Sequence, residues 1–241
     1  MSDVNHVLGL GDDALITAQR LAEWSARAHE LEEDIALSNI ALDQLGQARL
    51  LLTLAGELEG AGRDEDALAY LRDEREFRNV QLVELPRGDF AFTMVRMLFV
   101  AGYQAELYLK LADDDADTVA ARPLAEIAAK AIKEVAYHLD HSSQWTVRLG
   151  DGTEESRRRA QDAVDALWPY TFELFETHPE LREGWLGRVD PVLDTATLTR
   201  PADADVTFRP RGGRDGVHTE HLGYLLAELQ HLHRSHPGAT W

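Results

Sequence analysis

The stretch EEDIALSNIALDQLGQARLLLTLAGELE, Glu32–Glu59, runs without a proline, is dense in Leu, Ile, Ala and Gln, and is closed by Gly60 and Gly62. Those features predict one long helix, stopped where glycine can take the left-handed conformation of a C-terminal cap. At ~1.5 Å per residue it would span roughly 40 Å, the scale of a long-helix bundle rather than of a small mixed domain.

Working outward from it, the same helical spacing recurs on both sides. Ile16, Arg20 and Trp24 predict a preceding helix over about Asp13–Ala28. A short helix is expected over Asp64–Arg72, and Phe77–Leu85 is ambiguous before Pro86. A third long helix is expected over Asp89–Ala112 with Asp89 as its cap, then an acidic connector, Asp113–Asp117. A fourth is expected over Thr118–Leu149, with Pro123 in its first turns. Thr153 opens a fifth, through the capping pattern TEES, running to about Glu176. Helices one with two, and three with four, read as two long pairs. No segment reads as a strand. The chain is therefore expected to be all-α, a single ferritin-like domain with its helical bundle over about 12–176. An irregular arm rich in Gly, Pro, Asp and Arg is expected over about 178–217, and a final helix over about 219–233.

Composition narrows the function. The 241 residues contain no cysteine, which removes disulfides, thiolate metal clusters and cysteine nucleophiles. The formal net charge of −19 disfavours nucleic acid and anionic membranes as partners. Neither a secretory leader nor an apolar run of membrane-spanning length is legible, so a soluble, cytoplasmic chain is expected. There is no P-loop, dinucleotide fingerprint or ordered Ser/His/Asp set.

Three acids on the long helices stand among apolar neighbours at helical offsets: Asp43, Glu106 and Glu134. Buried carboxylates are costly unless paired, hydrogen-bonded or on a metal. A di-iron bundle supplies one Glu from each of two helices and Glu-x-x-His from each of the other two. Here Asp43 is followed at the histidine position by Gly46, and Glu134 by Tyr137. Glu106 stands where the acid of the preceding helix would be; on the first helix, Gln19 and Glu23 both remain open. The expected site is a degenerate one with no metal bound. A single-ion alternative remains in Glu134, His138 and His141 at i, i+4 and i+7 on one helix face.

Several long blocks carry a family resemblance. They are LGDDALITAQRLAEW, ELEEDIALSNIALDQLGQARLLL, RDEREFRNVQLVELPRGDFAFT, AIKEVAYHLDHSSQWTVRLGDGTEES, LWPYTFELF, GVHTEHLGYLLAELQ and the terminal PGATW. Over nearly its whole length the chain resembles the family that holds the paralogous A-type and C-type subunits of the multicomponent ring-1,2-phenylacetyl-CoA epoxidase. The resemblance implies a ferritin-like fold and a stable complex with other epoxidase subunits. It places the di-iron centre and the CoA thioester on the A-type subunit, with flavin (FAD) and iron–sulfur centres on the reductase. It implies that the C-type subunit is structural, without a catalytic centre or cofactor of its own, and Gly46 and Tyr137 set this chain with that type. The competing classes are a divergent metal-dependent oxygenase working through Glu106, Glu134, His138 and His141, and a ferritin-like iron-handling protein.

The remaining polar features read as structural. His218-Thr219-Glu220-His221 is expected to open and cap the last helix. Arg209, Arg211 and Arg214 around Gly212 and Gly213 could hold a phosphate, but internal salt bridges are the simpler expectation. Arg157–Arg159 read as a solvated face, and Trp24, Trp145, Trp168 and Trp185 as core or interface anchors.

Overall fold

The computed structural model describes residues 3–113 and 119–239. Ten α-helices and no strand occur among them, so the chain is all-α, in keeping with a ferritin-like long-helix protein. In chain order they are α1 (Asp3–Ala22), α2 (Leu31–Glu59), α3 (Glu65–Tyr70), α4 (Gln81–Glu84), α5 (Phe90–Ala112), α6 (Ala121–Gly150), α7 (Glu154–Leu167), α8 (Leu181–Thr195), α9 (Glu220–Leu229) and α10 (His231–Ser235). None is long and apolar enough to cross a membrane. The acidic connector falls almost entirely on residues 114–118, outside the described residues, as does the expected start of helix four at Thr118.

The chain divides into two compact units. The first comprises Met1–Pro86, Asp115–Ile127 and Gly212–Trp241. Its body is the antiparallel pair α1 and α2, with α3, α4, α9 and α10 attached. Helix α1 starts at Asp3, ten residues before the expected position, and ends six residues early, at Ala22. Gly9 and Gly11 are not breakers but contact points. A Cβ at Gly9 would stand 2.7 Å from the Arg214 guanidinium and 3.1 Å from the Arg78 carbonyl; at Gly11 it would stand 2.9 Å from Leu52. The early end follows from Ala26, held at φ 60° in the turn to α2. Gly60 caps α2 in the left-handed region, and its N–H returns to the Gly56 carbonyl. Asp64 caps α3 by accepting from the Ala67 N–H.

The second unit comprises Arg87–Asp114 and Ala128–Arg211. Helix α5, capped by Asp89, packs on α7 and α8. Phe99, Trp168, Phe175 and Trp185 form its aromatic core, with ring centroids 5.4 Å apart between the two tryptophans and 5.6 Å apart between Phe99 and Trp168. The Trp185 indole donates to the Phe99 carbonyl at 2.9 Å, satisfying its one polar atom. Helix five is shorter than expected, because the α-helix tightens to 3₁₀ geometry at Trp168–Phe175. Pro169 has no N–H to continue the ladder.

The irregular arm is also corrected, since its first half is the fifteen-residue helix α8. Leu181, Trp185, Val189 and Leu193, four apart, are all buried along one side. The rest of the arm is irregular and is tied down by side chains: Arg157 and Gln161 donate to the carbonyls of Thr197 (3.1 Å) and Thr199 (2.7 Å). Arg158 and Arg159 stay exposed and share Glu155, whose carboxyl their hydrogen bonds pull down to about 2.

Candidate functional site

Helix α2 is apolar on more than one side, so its inner face is visible only in the structure. Leu37, Ile40, Ala41, Gln44, Gln47, Ala48 and Leu51 are buried. Asp43 lies beside that row and is half-buried, while Gly46 is exposed, with open space where a Cβ would be. The expected inward Asp43 is thus displaced by one position. The i, i+3 polar pair on the buried face is Gln44 and Gln47, 0% and 3% exposed.

The same displacement occurs on α6. Its buried row is Ala128, Ala131, Val135, His138, Ser142 and Thr146. Glu134 is half-buried and Tyr137 is 47% exposed, its ring 6.1 Å from that of His141. The i, i+3 pair facing inward is Val135 and His138, both 0% exposed. Below His138 the hydroxyls of Ser142 and Thr146 turn back to the carbonyls of His138 and Ser142, each at 2.8 Å. His138 is buried between a half-buried Glu134 and a half-buried His141.

On α5, Glu106 is half-buried and bonded to Arg188 of α8 at 2.5 Å. A guanidinium at that distance neutralises the carboxylate by a charge-assisted hydrogen bond. On α1, Gln19 is half-buried, and Arg20 pairs at 2.6 Å with Glu23, just past the helix end. Among the described residues, no three Cys, His, Asp or Glu side chains converge closely enough to hold a metal ion.

The densest polar cluster lies elsewhere, inside the first unit, and sequence reasoning missed it. Asp12 is fully buried and forks onto Arg72, which is 1% exposed; Asp12 also accepts the Arg78 N–H at 2.8 Å. Asp13 accepts from Arg214 at 2.6 Å and from the Val80 N–H at 2.8 Å. Burial pushes the Asp13 carboxyl up, and the charge and hydrogen bond of Arg214 offset that only in part. Glu84, also fully buried, accepts from Asn79 at 2.9 Å and from the Thr219 N–H, and pairs with His218 Nδ1 at 2.9 Å. Burial pulls the His218 imidazole down, but the hydrogen bond and charge of Glu84, with the Phe77 carbonyl, outweigh it; the net shift is upward.

This cluster fastens segment 72–86 and the chain after Gly212 onto α1. It matches the expected structural role of Thr219, which caps α9, and of Arg214. Arg209 instead lies over Phe172, 4.1 Å from the ring centre. The signals available in the sequence were the adjacent acids Asp12-Asp13 within apolar LGLGDDALI and the arginines of RDEREFRN.

With this geometry in place, comparison with known proteins gives a family. The model of the family described as phenylacetic acid catabolic protein matches residues 2–241. The chain belongs to that family. Within the phenylacetic acid catabolic family, it is similar to the C-type subunit of the 1,2-phenylacetyl-CoA epoxidase of Escherichia coli (strain K12). The two are 44% identical over 251 residues, covering 98% of each chain.

Proposed function

We propose that the chain is a non-catalytic structural subunit of a phenylacetyl-CoA ring epoxidase. In this reading it binds and steadies the paralogous di-iron subunit in aerobic phenylacetate breakdown. The observation that carries the reading is the pair Gln44 and Gln47, buried at the spacing where a metal-binding helix would present an acid and an imidazole. A neutral amide brings no negative charge to a ferrous or ferric ion, and hard cations in such bundles are held by carboxylates and imidazoles. On α6 the inward acid position is Val135, which has no donor at all, and only His138 remains.

These residues do not fit a di-iron centre, so oxygen activation is assigned to the partner. The iron pair, FAD and the iron–sulfur centre would belong to other subunits. A divergent oxygenase using Glu106, Glu134, His138 and His141 is less well supported, because Glu106 is already neutralised by Arg188. The 44% identity to a C-type epoxidase subunit supports the assignment to the complex.

Reconstitution from purified subunits tests it. Phenylacetyl-CoA epoxidation should need the di-iron subunit and reductase, rise on adding this chain, and be absent when this chain is the only one paired with the reductase. Turnover by this chain and reductase alone would overturn the reading.

A further inference from the structure

Helix α2 carries a second apolar row on the side away from its buried face. Leu31, Ile35, Leu42 and Leu45 are 72%, 53%, 64% and 45% exposed. With Ser38 between them, their spacing alternates four and three, the period of about 3.5 residues that brings one helix along another. Isolated exposed leucines are ordinary; an aligned row of four is not.

Gly46 adjoins this row. A glycine inside a helix costs roughly 0.8–1 kcal/mol relative to alanine. Most helix-interior glycines here stand against a neighbour that a Cβ would meet: Leu52 at Gly11, the Arg63 carbonyl at Gly56, Trp185 at Gly102. Gly46, like Gly187 of α8, has nothing within 4 Å. No group of the chain itself accounts for it, whereas small residues let a second helix backbone approach closely.

The geometry points to the outer face of α2, Leu31–Gly46, as a docking seam for an amphipathic helix of a different protein chain, one with basic residues flanking its apolar row. This inference rests on the structural-subunit reading and deepens it. The charge requirement comes from the seam's surroundings. The first turn of α2 carries Glu32 and Asp34 outside its buried face, and the exposed Glu30 precedes it. Arg49, at the far end, is paired with Glu65. A second copy of this chain would bring another −19 against these acids, which opposes self-pairing.

The test uses the full chain and, as probe, the purified paralogous di-iron subunit of the same source. Binding is measured for wild type, for Leu42→Glu/Leu45→Glu and for Gly46→Leu, with helicity and thermal midpoint recorded for each. Both variants should keep the fold, since they change exposed positions. Each should weaken binding at least ~30-fold, as loss of a central anchor does. Gly46→Leu should at the same time raise the thermal midpoint, because it removes a helix-interior glycine. Folded variants that bind as tightly as wild type overturn the seam and leave the structural-subunit reading standing. Failure of the wild-type chain to bind the di-iron subunit overturns both. Sedimentation of the wild type as a dimer that Leu42→Glu/Leu45→Glu dissolves overturns the hetero-partner in favour of a second copy.

Discussion

Replacing Asp12 with alanine would strip the buried cluster of its central acid, and the cost can be worked from the structure. Three hydrogen bonds disappear: two from the Arg72 guanidinium and one from the Arg78 N–H. Arg72 keeps bonds to the Leu68 and Glu76 carbonyls and its seat 4.2 Å from the centre of the Phe77 ring, but its charge, 1% exposed, loses the carboxylate it is paired with. An uncompensated buried charge costs about 3–5 kcal/mol, a large share of the ~5–15 kcal/mol that holds a typical domain folded. The pair itself is not irreplaceable. Asp12→Leu combined with Arg72→Met removes both charges and should recover most of the loss, because apolar residues of similar volume often substitute for a buried ion pair.

Because the chain has two compact units, a single global midpoint is a poor readout. Urea unfolding should be combined with hydrogen exchange of α1 amides, which reports the first unit directly. A loss below ~1 kcal/mol for Asp12→Ala, with α1 protection unchanged, would refute the reasoning, since a truly buried Arg72 could not lose its partner so cheaply.

Three further outcomes are expected. The His218 imidazole is held above its ordinary value of 6.5, so its contribution to stability is complete below that pH and is lost as the pH rises through the raised value; thermal midpoints should fall over that interval in the wild type and stay level in His218→Gln. Trp185→Ala empties the aromatic core around Phe99 and Trp168 and should cost about 3–5 kcal/mol in denaturant unfolding, well beyond the effect of removing half-buried Trp145. Gly150→Ala should destabilise by about 1–3 kcal/mol despite alanine's better helix propensity, because its Cβ would overlap the Ala196 carbonyl; a rise in thermal midpoint would contradict that contact.

Several helix ends were legible in the sequence, often to the residue. Asp89 caps α5, Thr153 caps α7 and Gly60 closes α2, each where local chemistry put it. Helix α8 escaped because Gly184, Gly187 and Pro191 looked like breakers, although Leu181, Trp185, Val189 and Leu193 already spelled out its buried side. The start of α1 escaped for a related reason, since Gly9 and Gly11 mark close contacts with Arg214 and Leu52. On α2 and α6 the inward-facing positions were read one residue out, at Asp43 rather than Gln44 and at Tyr137 rather than His138. On α2 apolar residues occupy both the buried row and the exposed seam, so periodicity cannot say which faces inward. The cluster pairs Asp12 with Arg72, 60 positions on, and Glu84 with His218, 134 positions on, and no local pattern encodes such pairings.

At the i, i+3 positions facing inward, α2 presents Gln44 with Gln47 and α6 presents Val135 with His138, one imidazole and no carboxylate, fewer donors than a di-iron centre requires. Elemental analysis of the chain purified by itself from iron-replete cells addresses it most directly. The account predicts iron far below one atom per chain; two tightly held irons per chain would contradict it.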